Sequence, residues 1–164
     1  VLGELQGRRI GGDDLVLVAP GASPLAKRHP VKPSDLRDEA WVVREDDSNT
    51  RHQMERWFRR QRLMPAHLVT LHGSDAVKRA VIAGLGISLV SRVVVADELE
   101  SGRLVALPVS TPVPTRDVLL VDHPQKHHGA ACRAMLELLT GAIESSAASS
   151  GPAMSKLVRS RATR

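Results

Sequence analysis

A chain of 164 residues with 42% apolar content is long enough to bury one real core, and its 2% aromatic content leaves that core to Val, Leu, Ala and Ile. Trp41, Trp57 and Phe58 are too few for the exposed stacking rings that hold single-stranded nucleic acid. The net charge of +5 implies no basic stripe on the folded surface, because residues 141–164 hold Lys156, Arg159, Arg161 and Arg164 against Glu144 alone.

Residues 1–12 are polar and glycine-bearing, and read as a connection into a first strand at Leu15–Ala19. Pro20-Gly21 ends that strand, and a loop leads through His29-Pro30 to a helical turn at Ser34-Asp35-Leu36. Trp41-Val42-Val43 is a second strand. Thr50-x-x-Gln53 has capping-box spacing and opens a helix whose inner stripe is Met54, Trp57 and Phe58, ending near Leu63 before Pro65. A strand at Leu68–Leu71 follows.

Next comes the segment around which the rest is arranged. Ser74 is placed to cap a helix, with Asp75 near its positive end, and Ala76, Val77, Ala80 and Val81 recur at helical spacing. Gly84 suits a left-handed stop and Gly86 a second sharp turn, after which Ile87–Val90 leaves as a buried strand. Strand, helix, turn and strand make one crossover unit of a parallel sheet. A short helix near Val93–Leu99, a strand at Leu104–Val109 and a continuous apolar strand at Val118–Val121, expected to be buried, come next. The last helix spans about Gly129–Leu139 and places Cys132 on its apolar side, where a buried thiol is expected. As the single cysteine it excludes an internal disulfide and a cysteine-rich zinc site. The Ser/Ala/Gly-rich stretch 141–164 reads as a disordered tail. No signal peptide or membrane-spanning run is present, which points to the cytoplasm and to no membrane partner.

The wording Gly73-Ser74-x-Ala-Val-Lys-x-Ala-Val-x-x-Gly-Leu-Gly-Ile-Ser-Leu-Val-Ser91 resembles the effector-binding (substrate-binding) domain of LysR-type transcriptional regulators. The resemblance extends from about Asp13 to Leu139, through His29-Pro30, Trp41-Val42-Val43-Arg44-Glu45 and Glu98-Leu99-x-x-Gly102-Arg103-Leu104-Val105. Asn49-Thr50-Arg51 and His123-Pro124-Gln125-Lys126 resemble the branch that regulates carbon-dioxide fixation operons. The resemblance implies an α/β fold of the periplasmic-binding-protein-like type 2 class: two Rossmann-like lobes joined by two crossover strands. One lobe would be near complete and the other truncated. On this reading residues 1–140 are the effector-binding domain, without its amino-terminal part and without the winged helix-turn-helix that binds DNA.

Two strand-to-helix turns are the ligand candidates, since open α/β sheets bind ligands at such places. In Asp46-Asp47-Ser48-Asn49-Thr50-Arg51, backbone N–H groups at a helix start could hold a carboxylate or phosphate, with Arg51 supplying a bidentate fork. The resemblance implies Gly-Ser-x-Thr-Arg here, and Asp47 replaces the glycine. The plainer alternative is that Ser48 and Thr50 cap the helix while Arg51 is solvated. In His72-Gly73-Ser74, Gly73 allows close approach and Ser74 can donate, or Ser74 simply caps. Arg44 either points into the cleft or pairs with Glu45 or Asp46 at the surface.

Other chemistries fit less well. His123, His127 and His128 cluster beside Asp122, but adjacent histidines seldom face one metal. Ser88 lacks the Gly-x-Ser-x-Gly elbow, and Gly84-x-Gly86 lacks the third glycine of a dinucleotide fingerprint. The reading is a regulatory sensor without catalysis or cofactor. It takes a small organic anion, and the resemblance implies that it forms homo-oligomers and reaches promoter DNA only through the helix-turn-helix of a full-length regulator. A solute-binding protein serving a transporter is the alternative.

Overall fold

The computed structural model describes residues 5–149. They form two compact units: one holds Gly12–Arg116, and the other the residues up to Gly11 and from Asp117 onward. The chain passes between them inside strand β1 (Gln6–Pro20) and inside strand β6 (Thr115–Asp122), the two crossover strands that the family resemblance implied.

In the larger unit, β2 (Ala40–Arg44), helix α1 (Asn49–Gln61) and β3 (His67–Leu71) make a crossover, with β3 parallel to β2. Helix α2 (Ser74–Ile82) then leads to β4 (Ser88–Ser91) on the other side of β2. Ile87 makes that junction: its N–H donates to the Ala40 carbonyl at 2.8 Å, and its carbonyl accepts from Val42 at 2.9 Å. β4 pairs antiparallel with β1, which pairs antiparallel with β5 (Leu104–Ala106). The expected crossover unit is present, and Gly86 is what permits it. A Cβ at Gly86 would lie 2.2 Å from the Ala40 carbonyl oxygen, and its φ of +152° is one that L-residues rarely adopt.

Period-two alternation along β1 divides the core between the two faces of this sheet. Leu15, Leu17 and Ala19 pack with Trp41, Val43, Met54, Trp57, Phe58, Ile87 and Leu89, while Val16 and Val18 pack with Val42, Val77, Val81, Val90 and Leu104. The three aromatic residues form one buried group, with Trp41 and Phe58 edge to face at 4.6 Å between centroids. The Trp57 indole N–H donates to the Pro112 carbonyl at 3.0 Å, which anchors the proline-rich link. Helix α1 ends at Gln61, where Arg62 takes the left-handed conformation (φ 51°) and Leu63 folds back to the Phe58 carbonyl.

Several local expectations change. β1 begins at Gln6, so residues 6–12 are strand rather than connection. No capping box forms at Thr50: Ser48 is the N-cap of α1, and its side chain makes no capping bond. Ser74 is the first residue of α2, whose N-cap is Gly73.

In the smaller unit, the run Val118–Val121 is not buried: Val118, Leu119 and Val121 are 43%, 48% and 44% exposed. Helix α4 (Ala130–Ser149) leaves Met135, Leu138 and Leu139 exposed, and Cys132 is exposed rather than a core thiol. Among the described residues this unit consists of two strand segments and one helix, which is too few layers to cover an apolar run on both sides. α4 continues beyond Leu139 to Ser149, so the start of the stretch read as a tail is helical, and residues 150–164 lie outside the described residues. Among the described residues, no helix is long and apolar enough to cross a membrane.

Candidate functional site

The carboxyl ends of the parallel strands β2 and β3 lie side by side, because Arg44 is register partner to Leu71. Each strand then turns into a helix, which brings Arg44–Thr50 and His72–Ser74 to one edge of the sheet. Both helix starts lack a side-chain cap. The first N–H groups of a helix have no intrahelical acceptor, so both turns present backbone donors and the positive end of a helix dipole.

Arg44 links the two turns. Its half-buried guanidinium donates from Nη1 to Ser74 Oγ at 2.5 Å. It also grips the Glu45 carboxylate through Nε at 2.7 Å and Nη2 at 2.5 Å. Glu45 Oε2 in turn accepts from the Gly73 N–H at 3.2 Å. Glu45, absent from the sequence-based candidates, therefore staples the β2–α1 turn to the β3–α2 turn. The Arg44 hydrogen bond is the main cause that holds its carboxyl down at about 2, and the same bond raises the Arg44 pKa. Gly73 has φ +83°, which a side chain would strain.

Arg51 is neither a free fork nor a solvated residue. It is largely buried, its Nη1 donates to the Arg44 carbonyl at 3.0 Å and its Nε to Glu55 at 2.6 Å. It thus holds the end of β2 against the first turn of α1. Thr50 is buried, and its hydroxyl accepts from Arg116 Nη1 at 3.0 Å. Ser48 is buried at the N-cap, whereas Asn49 and His72 are exposed. Asn49 Oδ1 accepts from Gln53 at 3.5 Å. Arg44, Arg51, Gly73 and Ser74 are thus joined by direct or one-residue links, Thr50 is tied to Arg116 instead, and His72 follows the last residue of β3 beside them.

Arg116 carries a second cluster unseen in the sequence. Its Nε donates to Asp13 Oδ2 at 2.6 Å, and the other Asp13 oxygen accepts from Ser91 Oγ at 2.7 Å. These partners lie far apart in the chain, so no local pattern could reveal them. Among the described residues, no group of three or more His, Cys, Asp and Glu could hold a metal, and His128 pairs with Asp122 at 3.0 Å. A groove of about 440 Å³ along α2 and α3 (Ala96–Glu100) is lined by Asp75, Lys78, Arg79, Glu98 and Arg103, whose charges pair with one another.

A mixed sheet with helices on both faces and two uncapped helix starts at one edge defines a domain of the type 2 periplasmic-binding-protein-like class. The chain belongs to the LysR substrate binding domain family, whose model matches residues 2–144. It is 39% identical over 87 residues to the HTH-type transcriptional regulator CysL of Bacillus subtilis (strain 168), covering 53% of this chain and 29% of that protein. It is 38% identical over 106 residues to a RuBisCO operon transcriptional regulator of Allochromatium vinosum, covering 65% of this chain and 35% of that one. The regulatory domain of Synechocystis PCC6803 CcmR, solved in complex with 2-PG, superposes with a TM-score of 0.77 at 24% identity, over 85% of this chain and 67% of that one. The chain thus spans about a third of the length of the two regulators.

Proposed function

We propose that this chain is the ligand-sensing part of a LysR-type transcriptional regulator, and that a small organic anion, a carboxylate or phosphorylated metabolite, binds at the paired turns. The observation that carries the reading is the pair of uncapped helix starts, α1 and α2, held together by Arg44 and Glu45. Ser48–Thr50 and Gly73-Ser74 contribute backbone N–H and hydroxyl donors. Arg44 and Arg51, paired with Glu45 and Glu55, hold the two turns in place, and His72 stands exposed beside them. CcmR, of similar fold, holds 2-PG in its regulatory domain, which supports this ligand class.

Binding shifts the population of lobe or subunit arrangements, and a full-length regulator converts that shift into altered promoter contacts through its helix-turn-helix. No chemical turnover and no cofactor are involved. The protein works in the cytoplasm as a homo-oligomer. The two relatives are transcriptional regulators, which favours this reading over a transporter's solute-binding protein.

Calorimetric titration of the full-length regulator with 2-PG, inorganic phosphate and a panel of carboxylates tests the proposal. Saturable binding that weakens in Ser74→Ala supports it. Equal affinity in the unaltered protein, Ser74→Ala and Arg51→Ala places the site elsewhere.

A further inference from the structure

The hydroxyls of Thr50 and Ser74 share one arrangement. Each accepts a hydrogen bond from an arginine, Thr50 from Arg116 at 3.0 Å and Ser74 from Arg44 at 2.5 Å. Each arginine is in turn held by a carboxylate, Arg116 by Asp13 and Arg44 by Glu45. A guanidinium only donates, so both hydroxyl oxygens must act as acceptors towards it. With one lone pair of each hydroxyl taken by the guanidinium, its proton points away from the arginine and is free to donate, and the nearby cation makes that proton a better donor. The paired carboxylates meanwhile absorb the guanidinium charges, so these positions offer oriented O–H groups more than free positive charge.

We infer that Arg116 is a positioning residue for the ligand site: with Asp13 it fixes Thr50 as a hydrogen-bond donor, as Arg44 with Glu45 fixes Ser74. This rests on the proposed anion site and extends it to residues outside both turns. It also narrows the ligand. The O–H groups of Thr50 and Ser74 favour acceptors facing them, carboxylate or phosphate oxygens, over a cationic ammonium, which the adjacent guanidinium repels. Ser91 completes the device by donating to the second Asp13 oxygen at 2.7 Å, which leaves the first for Arg116. The Asp13–Arg116 pair also joins β1 to β6 beside the points where the chain passes between its two units.

The test is a double-mutant cycle in the full-length regulator, with 2-PG and inorganic phosphate as the probes. Arg116→Lys keeps a cation for Asp13, but one ammonium replaces the fork that serves both carboxylate and hydroxyl. Thr50→Val removes the hydroxyl at equal shape. Each single change is expected to weaken binding about tenfold, and the double variant to bind no more weakly than either, because both remove the same donor. Multiplying losses would overturn the inference, since a merely structural Arg116 acts independently of the Thr50 hydroxyl. Undiminished binding in Arg116→Lys, with Thr50→Val still weakened, would overturn the role of Arg116 and leave the site standing. No saturable uptake of either probe by the unaltered protein would overturn the site and the inference together. If Arg116→Lys fails to fold, Asp13→Asn with Thr50→Val makes the same cycle: non-multiplying losses support the inference and multiplying losses overturn it.

Discussion

Glu45 Oε2 accepts from the backbone N–H of Gly73 at 3.2 Å, while the same carboxylate is held by Arg44. Through this bond the turn after β2 and the turn after β3 become one unit. On the proposed reading, an anion bound there would meet prearranged donors and need not order two separate loops.

The Glu45 carboxylate makes stability pH-dependent in a defined window. Its folded pKa is lowered from 4.5 to about 2, so the stabilisation is complete above about 4.5 and is lost as pH falls towards 2. Denaturant melts across that range should show the unaltered chain losing stability more steeply than Glu45→Gln. Parallel curves for the two would show that the staple contributes nothing.

Gly86→Ala should destabilise the larger unit by about 2–3 kcal/mol, a cost usual for backbone strain combined with a steric clash. The added Cβ would meet the Ala40 carbonyl oxygen at 2.2 Å, at the point where Ile87 joins β2. Urea denaturation measures it, with Gly129→Ala as a control, since a Cβ there meets nothing within 4 Å.

Arg51→Ala should weaken anion binding by about tenfold, through loss of a nearby cation and of the hold on the Arg44 carbonyl. Arg51→Lys should recover little, because one ammonium cannot reach both the carbonyl and Glu55. Calorimetry on the full-length regulator with 2-PG decides this, and equal affinity for all three forms would remove Arg51 from the site.

The chain should self-associate with increasing concentration. Val118, Leu119 and Val121 on β6 and Met135, Leu138 and Leu139 on α4 are exposed, and so many large apolar side chains open to solvent in one small unit favour association. β3 pairs only with β2 among the described residues and exposes Leu68 and Val69, so it adds an open edge. Sedimentation should find dimers or larger species, reduced when Leu119 and Leu138 are both changed to Lys. A monomer at every concentration would contradict the expectation.

Local features of the sequence determined the order of elements in the larger unit. Helical spacing from Ala76 to Val81, the breaks at Gly84 and Gly86 and the apolar run Ile87–Val90 are signals carried within a few residues, and they produced α2 and β4 as read. The family wording around Gly73–Ser91 likewise identified the class of fold. What Ser74 and Thr50 do was not legible in this way. Each has a residue type that caps helices, but each is occupied by an arginine, Arg44 from thirty residues away and Arg116 from sixty-six. Only the tertiary structure places those guanidinium groups, since sheet register brings Arg44 level with Leu71 and the return of β6 to β1 brings Arg116 to Asp13. The burial of Val118–Val121 and Cys132 was decided there too. An apolar pattern states which faces need covering, and only the assembled layers determine whether anything covers them.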